Sequence, residues 1–401
     1  MQNFEQKQEK IIAHEPSQLD IPAIRRDLPA TSAIAYLNTG TSGPLPAPAV
    51  AALAEAAASE GSRGRLDPAA IARFRRETPA LRRALAQFLG ADEAEIGLTH
   101  HTTEGVNVAL WGLDWQPGDR IVTTTLEHAG VLVPLFQAQR RYGVDIVFAD
   151  VGNGERGLAE AALLRAIQPG VRMVVLSHVA WSTGAVLPLA EVIDRAHRVG
   201  ALVCVDGAQS VGALAVGLDA LQADVYAFPG QKWLCGPEGT GGVFVRAATL
   251  ERIQPVVSGF HSAHYQPNKP ASLEFESGAA RYEVASIYRP GVYGLQASVA
   301  WLQRQGPIFP AISALASWCL SQLSNLPGVE ILTPSNAELS GLVSFRLEGV
   351  DAEACTAFLA ERKVAIRSIP DNQALRISCG FFNTREEIDH TLALIGEFRA
   401  G

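Results

Sequence analysis

Lysine is scarce in this chain: five among 401 residues, Lys7, Lys10, Lys232, Lys269 and Lys363. Four read as solvated, two in a polar leader, one between Asn268 and Pro270, one at a helix end. Lys232 differs. It follows the β-type run Asp224-Val225-Tyr226-Ala227-Phe228 and lies in the turn Pro229-Gly230-Gln231-Lys232-Trp233-Leu234-Cys235-Gly236-Pro237. Apolar neighbours and a rigid turn at a strand's end strip water from an amine and lower its pKa, which is the setting a nucleophilic, Schiff-base lysine needs. Taken alone, the position also fits an ordinary loop lysine.

Upstream, Ala201-Leu202-Val203-Cys204-Val205-Asp206 is an apolar run ending on a carboxylate, followed by Gly207-Ala208-Gln209-Ser210. Parallel sheets bind ligands at such strand ends, and a carboxylate there needs a cationic or protonated partner. The pyridinium nitrogen of pyridoxal phosphate is one such partner, because an acid beside it keeps the ring protonated and electron-withdrawing. An Asp capping the next helix is the plainer alternative. The run Thr99-His100-His101-Thr102-Thr103-Glu104-Gly105-Val106 opens a helical stretch. Its hydroxyls and free N–H groups suit a phosphate, or serve as a common N-cap. His128, after the β-run Arg120–Thr124, either lays its flat ring on a cofactor or is structural. Arg367 and Arg376 fall on two β-runs near the C-terminus. Strand arginines are commonly solvated at an edge, but one facing a cleft holds a substrate carboxylate bidentately.

Other chemistries find no support. The five cysteines are far apart, with no CxxC and no Cys/His cluster, so neither a disulfide framework nor a metal site is expected. The glycine-rich run 236–242 precedes a strand instead of following one and opening a helix, so the dinucleotide fingerprint fails, and a GK[ST] phosphate loop is absent.

The elements that must position these residues come in two rhythms. Residues 1–33 read as a leader or arm, and Asn38-Thr39-Gly40-Thr41-Ser42-Gly43-Pro44 reads as a loop. From about 96 to 246, short β-runs alternate with amphipathic helices such as Ala129–Tyr142 and Leu189–Val199, which argues for an α/β, mostly parallel sheet covered on both faces. Past about 295 the order becomes two helical stretches, strand Leu342–Leu347, helix Ala352–Lys363, strands Val364–Ile369 and Ala374–Cys379, and a closing helix capped at Thr384. The expected division is a large domain over 34–295 and a smaller α+β domain over 296–401. Hydrophobic residues at 48% and charged ones at 18% exclude global disorder. The formal net charge is −8, without a basic run, so neither nucleic acid nor a membrane surface is an expected partner. With no spanning apolar stretch and no secretory signal in Met1–Glu15, the expected location is the cytoplasm.

Together these pieces resemble the class V aminotransferase group of fold-type I pyridoxal-phosphate enzymes. The matching segments are Thr102-Thr103-Glu104-Gly105, Glu127-His128, Asp206-Gly207-Ala208-Gln209, Gly230-Gln231-Lys232, Arg281-Tyr282-Glu283 and Asn383-Thr384-Arg385-Glu386-Glu387, in family order. Within the group, Leu110 to Trp115, Leu176-Ser177-His178, Trp181, Thr183-Gly184, Val186 to Leu189 and Gly341 to Phe345 resemble the cyanobacterial-type cysteine/cystine C–S lyase, a relative of the cysteine desulfurases. The resemblance implies a mostly parallel seven-stranded sheet with flanking helices plus a smaller C-terminal α+β domain. It implies that Lys232 holds the cofactor aldehyde, Asp206 pairs with the pyridine nitrogen, Gln209 reaches the ring hydroxyl and His128 stacks on the ring. Thr102 and Thr103 would hold the phosphate, and Ser286 would reach the phosphate of a partner subunit in a homodimer with shared sites. Arg376 and Arg367 would take the carboxylate of an amino-acid substrate. Two positions depart from the family: Pro229 and Gln231 stand where relatives carry a hydroxyl residue and a histidine. Gln231 can still donate to a phosphate and Pro229 cannot.

Desulfurases of this group attack substrate sulfur with a cysteine between the two arginine-bearing strands. Here that connection, Ser368-Ile369-Pro370-Asp371-Asn372-Gln373, has none. The expected reaction is therefore β-elimination from a cystine- or cysteine-type amino acid, yielding pyruvate, ammonia and a persulfide or sulfide, with a downstream sulfur acceptor as a further partner. Desulfuration, transamination and epimerisation are the alternatives.

Overall fold

The computed structural model describes residues 19–336 and 338–400. The first eighteen residues of the expected leader lie outside them. The rest of that leader forms the helices Ile21–Asp27 and Ala30–Ala33. The first is capped by the Asp20 carboxylate, which accepts from the Ala23 N–H. It is tied down by an Arg25–Glu387 ion pair of 2.7 Å and a bond from the Trp301 indole to Asp27.

The strands are β1 (Ala35–Tyr36), β2 (Ile96–Thr99), β3 (Arg120–Thr124), β4 (Asp145–Ala149), β5 (Val171–Ser177), β6 (Leu202–Asp206), β7 (Val225–Pro229), β8 (Gly241–Val245), β9 (Ala263–Gln266), β10 (Lys269–Phe275), β11 (Val329–Ile331), β12 (Leu342–Leu347), β13 (Val364–Ala365), β14 (Arg367–Ile369) and β15 (Ala374–Ser378). A seven-stranded sheet has the order β2-β8-β7-β6-β5-β3-β4, and β8 alone runs antiparallel to its neighbours. Its central strands β6, β7 and β8 are buried at every residue because both faces are covered. In β6, Leu202 and Cys204 enter one core while Val203 and Val205 enter the other, as the two-residue period of a strand requires. The α/β expectation and the mostly parallel sheet are met.

The second sheet, β11-β12-β15-β14, is antiparallel. It is backed by the helices Ile308–Leu323, Ala352–Glu361 and Arg385–Ala400 around Phe345, Ile377 and Ile395. The single β-run read at Val364–Ile369 is two strands. β13 pairs in parallel with β1, then the chain changes partner at Ile366 and β14 pairs with β15. That switch draws the loop after β1 onto the arginine-bearing strands, where the Ser378 N–H donates to the Leu37 carbonyl. Besides the short strands β1, β2 and β11, two larger features went unread in the sequence. One is the helix Pro68–Leu89, whose fully buried residues, Leu81, Leu85, Ala86 and Leu89, are confined to its second half. The other is the β9–β10 hairpin, mostly exposed and so without an apolar face to betray it. Among the described residues, no helix is long and apolar enough to cross a membrane.

Candidate active site

A cavity of about 220 Å³ opens at the carboxyl ends of β5, β6 and β7. It brings together Thr102, Thr103, His128, Asp206, Gln209, Gln231, Lys232, Arg367 and Arg376. Ser286 does not line it. It lines a second cavity of about 480 Å³ with Arg82, His100, Glu104, His261 and Glu283.

Lys232 sits in a turn locked by backbone hydrogen bonds. The Gly230 N–H donates to Thr240 and the Gly236 N–H to Gly230, while the Cys235 N–H donates to Lys232 itself. The loop after β1 presses on this turn: the Gly43 N–H donates to the Gln231 carbonyl at 2.7 Å, and a Cβ on Gly43 would stand 2.2 Å from the Lys232 carbonyl oxygen. Only glycine permits that approach. Burial lowers the Lys232 amine to about 8; Asp206 opposes the shift, and Arg376 and Arg367 add to it. Roughly a tenth of the amine is therefore neutral, and nucleophilic, at pH 7, far more than for an ordinary lysine.

Asp206 ends β6, buried, with one carboxylate oxygen accepting from the Ala208 N–H at 2.8 Å. Burial raises its pKa, and Lys232 pulls it back down. Behind it the Tyr226 hydroxyl shares hydrogen bonds with His178 (2.8 Å) and Ser210 (2.5 Å). His128 caps the helix Ala129–Tyr142: its Nδ1 accepts from the Gly130 N–H at 3.0 Å, which leaves the proton of the neutral ring on Nε2. Partial burial, then the cations Lys232, Arg367 and Arg376, hold that ring well below the usual imidazole range. The Trp181 ring meets it edge to face, centroids 5.2 Å apart. Gln209 is held at both ends of its amide, donating to the Gly40 carbonyl and accepting from the Trp233 indole, which leaves one N–H for a ligand.

The opposite wall carries the arginines. Arg367 and Arg376 face each other across the β14–β15 ladder. Like charges placed so are destabilising, and among the described residues neither guanidinium has a carboxylate partner. Arg376 is 1% exposed, and burial followed by the Arg367 charge lowers it to about 9. It donates to the Trp181 carbonyl at 2.8 Å, while its Nε is buried without a partner.

These residues fit pyridoxal phosphate. The helix Thr102–Trp111 presents its first N–H groups and the Thr102 and Thr103 hydroxyls at the cavity, an anion site at one end. A Cβ on Gly130 would stand 2.6 Å from the Thr103 hydroxyl, so glycine keeps that cradle open. Gln231 lines the same cavity, and its amide NH2 is the group able to donate to a phosphate. An aldehyde-seeking amine and a buried acid occupy the other end. Among the described residues, no cluster of His, Cys, Asp and Glu is placed to hold a metal.

Sequence reasoning assigned no role to Glu127, Ser177, Thr41 or Trp181. Glu127 is buried at 5% exposure and accepts from the Thr124 hydroxyl (2.7 Å) and from the Ser177 N–H (3.1 Å) and hydroxyl (2.6 Å). Burial raises it to about 7 against the pull of those bonds. Ser177 stands opposite Asp206 in the β5–β6 register. A polar residue closing an apolar run was the available signal for Ser177, as it was for Asp206. Thr41, in a loop of small residues, offered none.

The aminotransferase class-V family model matches residues 35–391. The cysteine desulfurase of Haloferax volcanii is 32% identical over 336 residues, covering 79% of this chain and 77% of that one. The isopenicillin N epimerase of Streptomyces clavuligerus is 31% identical over 390 residues, covering 91% and 96%. Among solved structures, the cystine C–S lyase C-DES with its product cysteine persulfide has a TM-score of 0.87 at 34% identity, covering 91% of this chain and 98% of that one. A Lys→Ala variant of C-DES, with glycine covalently linked to the cofactor, has the same score and identity. The chain belongs to the class-V aminotransferase family, and with it to the enzymes that work with pyridoxal phosphate.

Proposed function

We propose that this protein is a pyridoxal-phosphate-dependent carbon–sulfur lyase that acts on cystine-type amino acids, releasing pyruvate, ammonia and cysteine persulfide. The observation that carries the choice of reaction is the thiol inventory. All five cysteines are buried, and none lines the Lys232 cavity. The β14–β15 connection is a single turn, Pro370–Asn372, closed by Gln373 in the left-handed region. Cys235, the nearest in sequence to Lys232, is pushed by burial up to about 12 and is a poor nucleophile. A desulfurase needs a thiolate to accept sulfur, and this pocket offers none.

When bound, pyridoxal phosphate supplies an aldehyde for an amine and a ring that draws negative charge from the substrate Cα. The chain's own residues do the rest. Lys232 Nζ, a good base once neutral, takes the Cα proton. Asp206 holds a proton at the ring nitrogen. The neutral His128 ring would lie against the bound cofactor, and Thr102, Thr103 and Gln231 would hold its phosphate. Arg367 and Arg376 bind the substrate carboxylate and so orient the Cα–H bond toward Lys232. A persulfide leaves more readily than a plain thiolate because its conjugate acid is stronger, which favours cystine over cysteine.

Two arrangements belong to the same reading. The strands of the seven-stranded sheet all fall within 96–245 and those of the four-stranded sheet within 329–378, which supports a large domain over 34–295 and a smaller one over 296–401. The exposed apolar residue Val257 (67%) shares the second cavity with Ser286, with Phe260 (63%) three residues after the one and Tyr288 (57%) two after the other. They support a homodimer in which Ser286 meets the second copy's phosphate.

The test is product analysis. Purified enzyme loaded with pyridoxal phosphate and given cystine should form pyruvate and ammonia in equal amounts. Accumulation of alanine instead establishes desulfuration, and recovery of amino acid changed only in configuration establishes epimerisation; either result sinks the lyase reading.

A further inference from the structure

The two substrate-side guanidiniums share one neutral oxygen. Arg367 Nη1 stands 3.1 Å and Arg376 Nη2 3.4 Å from Thr41 Oγ1. The same hydroxyl donates its proton to Asn38 Oδ1 at 2.8 Å, so its lone pairs are turned to the two cations. Asn38 is itself pinned by a bridge to Ser378, two residues past Arg376. The loop that carries Thr41 is held on its other flank by the lysine turn, through Gly43 to Gln231, and by Gln209, which donates to Gly40. The loop thus links both walls of the cavity, its backbone on the lysine side and the Thr41 side chain on the arginines, while Arg376 Nε remains buried without a partner.

We propose that Thr41 is the positioning residue of the carboxylate clamp: its hydroxyl holds Arg367 and Arg376 at one spacing, with their remaining donors free, so that both engage the same substrate carboxylate. Without an acceptor between them, two like charges facing each other across a ladder swing apart, and the clamp must be assembled by the substrate at the expense of affinity. Thr41 acts through the arginines that its hydroxyl touches. The inference rests on the pyridoxal-phosphate reading of the cavity.

The test separates carboxylate recognition from amine recognition. Wild type, Thr41→Val and Thr41→Ser are loaded with pyridoxal phosphate. Each is titrated with glycine, which carries a carboxylate, and with ethylamine, which does not, following the visible absorption. We expect Thr41→Val to weaken glycine about tenfold, the worth of one hydrogen bond to a charged group, while ethylamine stays within about twofold of wild type. Thr41→Ser should restore glycine binding, and with cystine the Val variant should raise KM more than it lowers kcat. Unchanged glycine affinity in Thr41→Val overturns the clamp, as does equal loss of both amines, which marks the loop as merely structural. A wild type whose absorption responds to neither amine overturns the cofactor reading and the clamp with it, and so is distinguishable from failure of the clamp alone.

Discussion

On the side of the cavity built by the seven-stranded sheet, most of the buried polar groups named above are bonded to one another. Glu127 takes three hydrogen bonds, His178, Tyr226 and Ser210 form a chain, and His128 and Asp206 each accept from a backbone N–H. On the side built by the four-stranded sheet, two guanidiniums face each other with a carbonyl, a hydroxyl and no acid between them. Ser344 and Ser378, on strands beside Arg376, also hold buried hydroxyl oxygens without partners. The first wall is largely bonded before any ligand arrives, the Gln231 amide oxygen excepted. The second is left with positive charge that only an incoming anion satisfies, a local instability kept for binding. A resident cofactor calls for a rigid bed, whereas a substrate that comes and goes is caught by charge held in readiness.

The largest effect is expected at the first wall. Lys232→Ala removes the one amine in the cavity, and cystine turnover should fall by about a thousandfold or more. Borohydride reduction followed by peptide mapping should label Lys232 in the wild type alone; a label at another residue breaks the assignment.

At the second wall function and stability should part company. Arg376→Met removes a buried cation that has no acid partner. Substrate capture, read as kcat/KM for cystine, should drop by about a hundredfold. The melting temperature of the cofactor-free protein should hold or rise by about 2 °C. A clear fall in melting temperature would show that the arginine supports the fold, and the contrast between the walls would lose its basis.

The smallest effect concerns pH. Burial lifts the Glu127 carboxyl from 4.5 to about 7. The folded protein therefore holds this proton more tightly than the unfolded chain does. The stability it contributes is full below about 4.5 and is lost as pH rises through about 7. Glu127→Gln cannot titrate, and its amide can keep both bonds to Ser177. Relative to wild type, the variant should melt a few degrees higher at pH 8 than at pH 5. An offset that does not change with pH means that the Glu127 proton does not discriminate between folded and unfolded chains.

The cofactor-side wall was far more legible in the sequence than the substrate-side wall. Asp206 and Lys232 stand out because each interrupts or follows an apolar run at a place where a charge is costly, and that pattern is local. The β-runs at 120–124, 145–149 and 202–206 were readable with their bounds for the same reason. The partner switch at Ile366 was not, since a continuous β-run looks alike whether it joins one strand or two. Nor was the Pro68–Leu89 helix, whose fully buried residues lie only in its second half.

The sequence by itself determined the kind of chemistry and its order along the chain, because desolvation of a lysine turn or a strand-end acid depends on immediate neighbours. Only the tertiary structure decided which groups meet. Thr41 lies 326 residues from Arg367 and 335 from Arg376, and Glu127 lies 50 from Ser177. A hydroxyl carries no mark of its future partner, since the pairing follows from strand order and register, and these are settled by the packing of the whole chain.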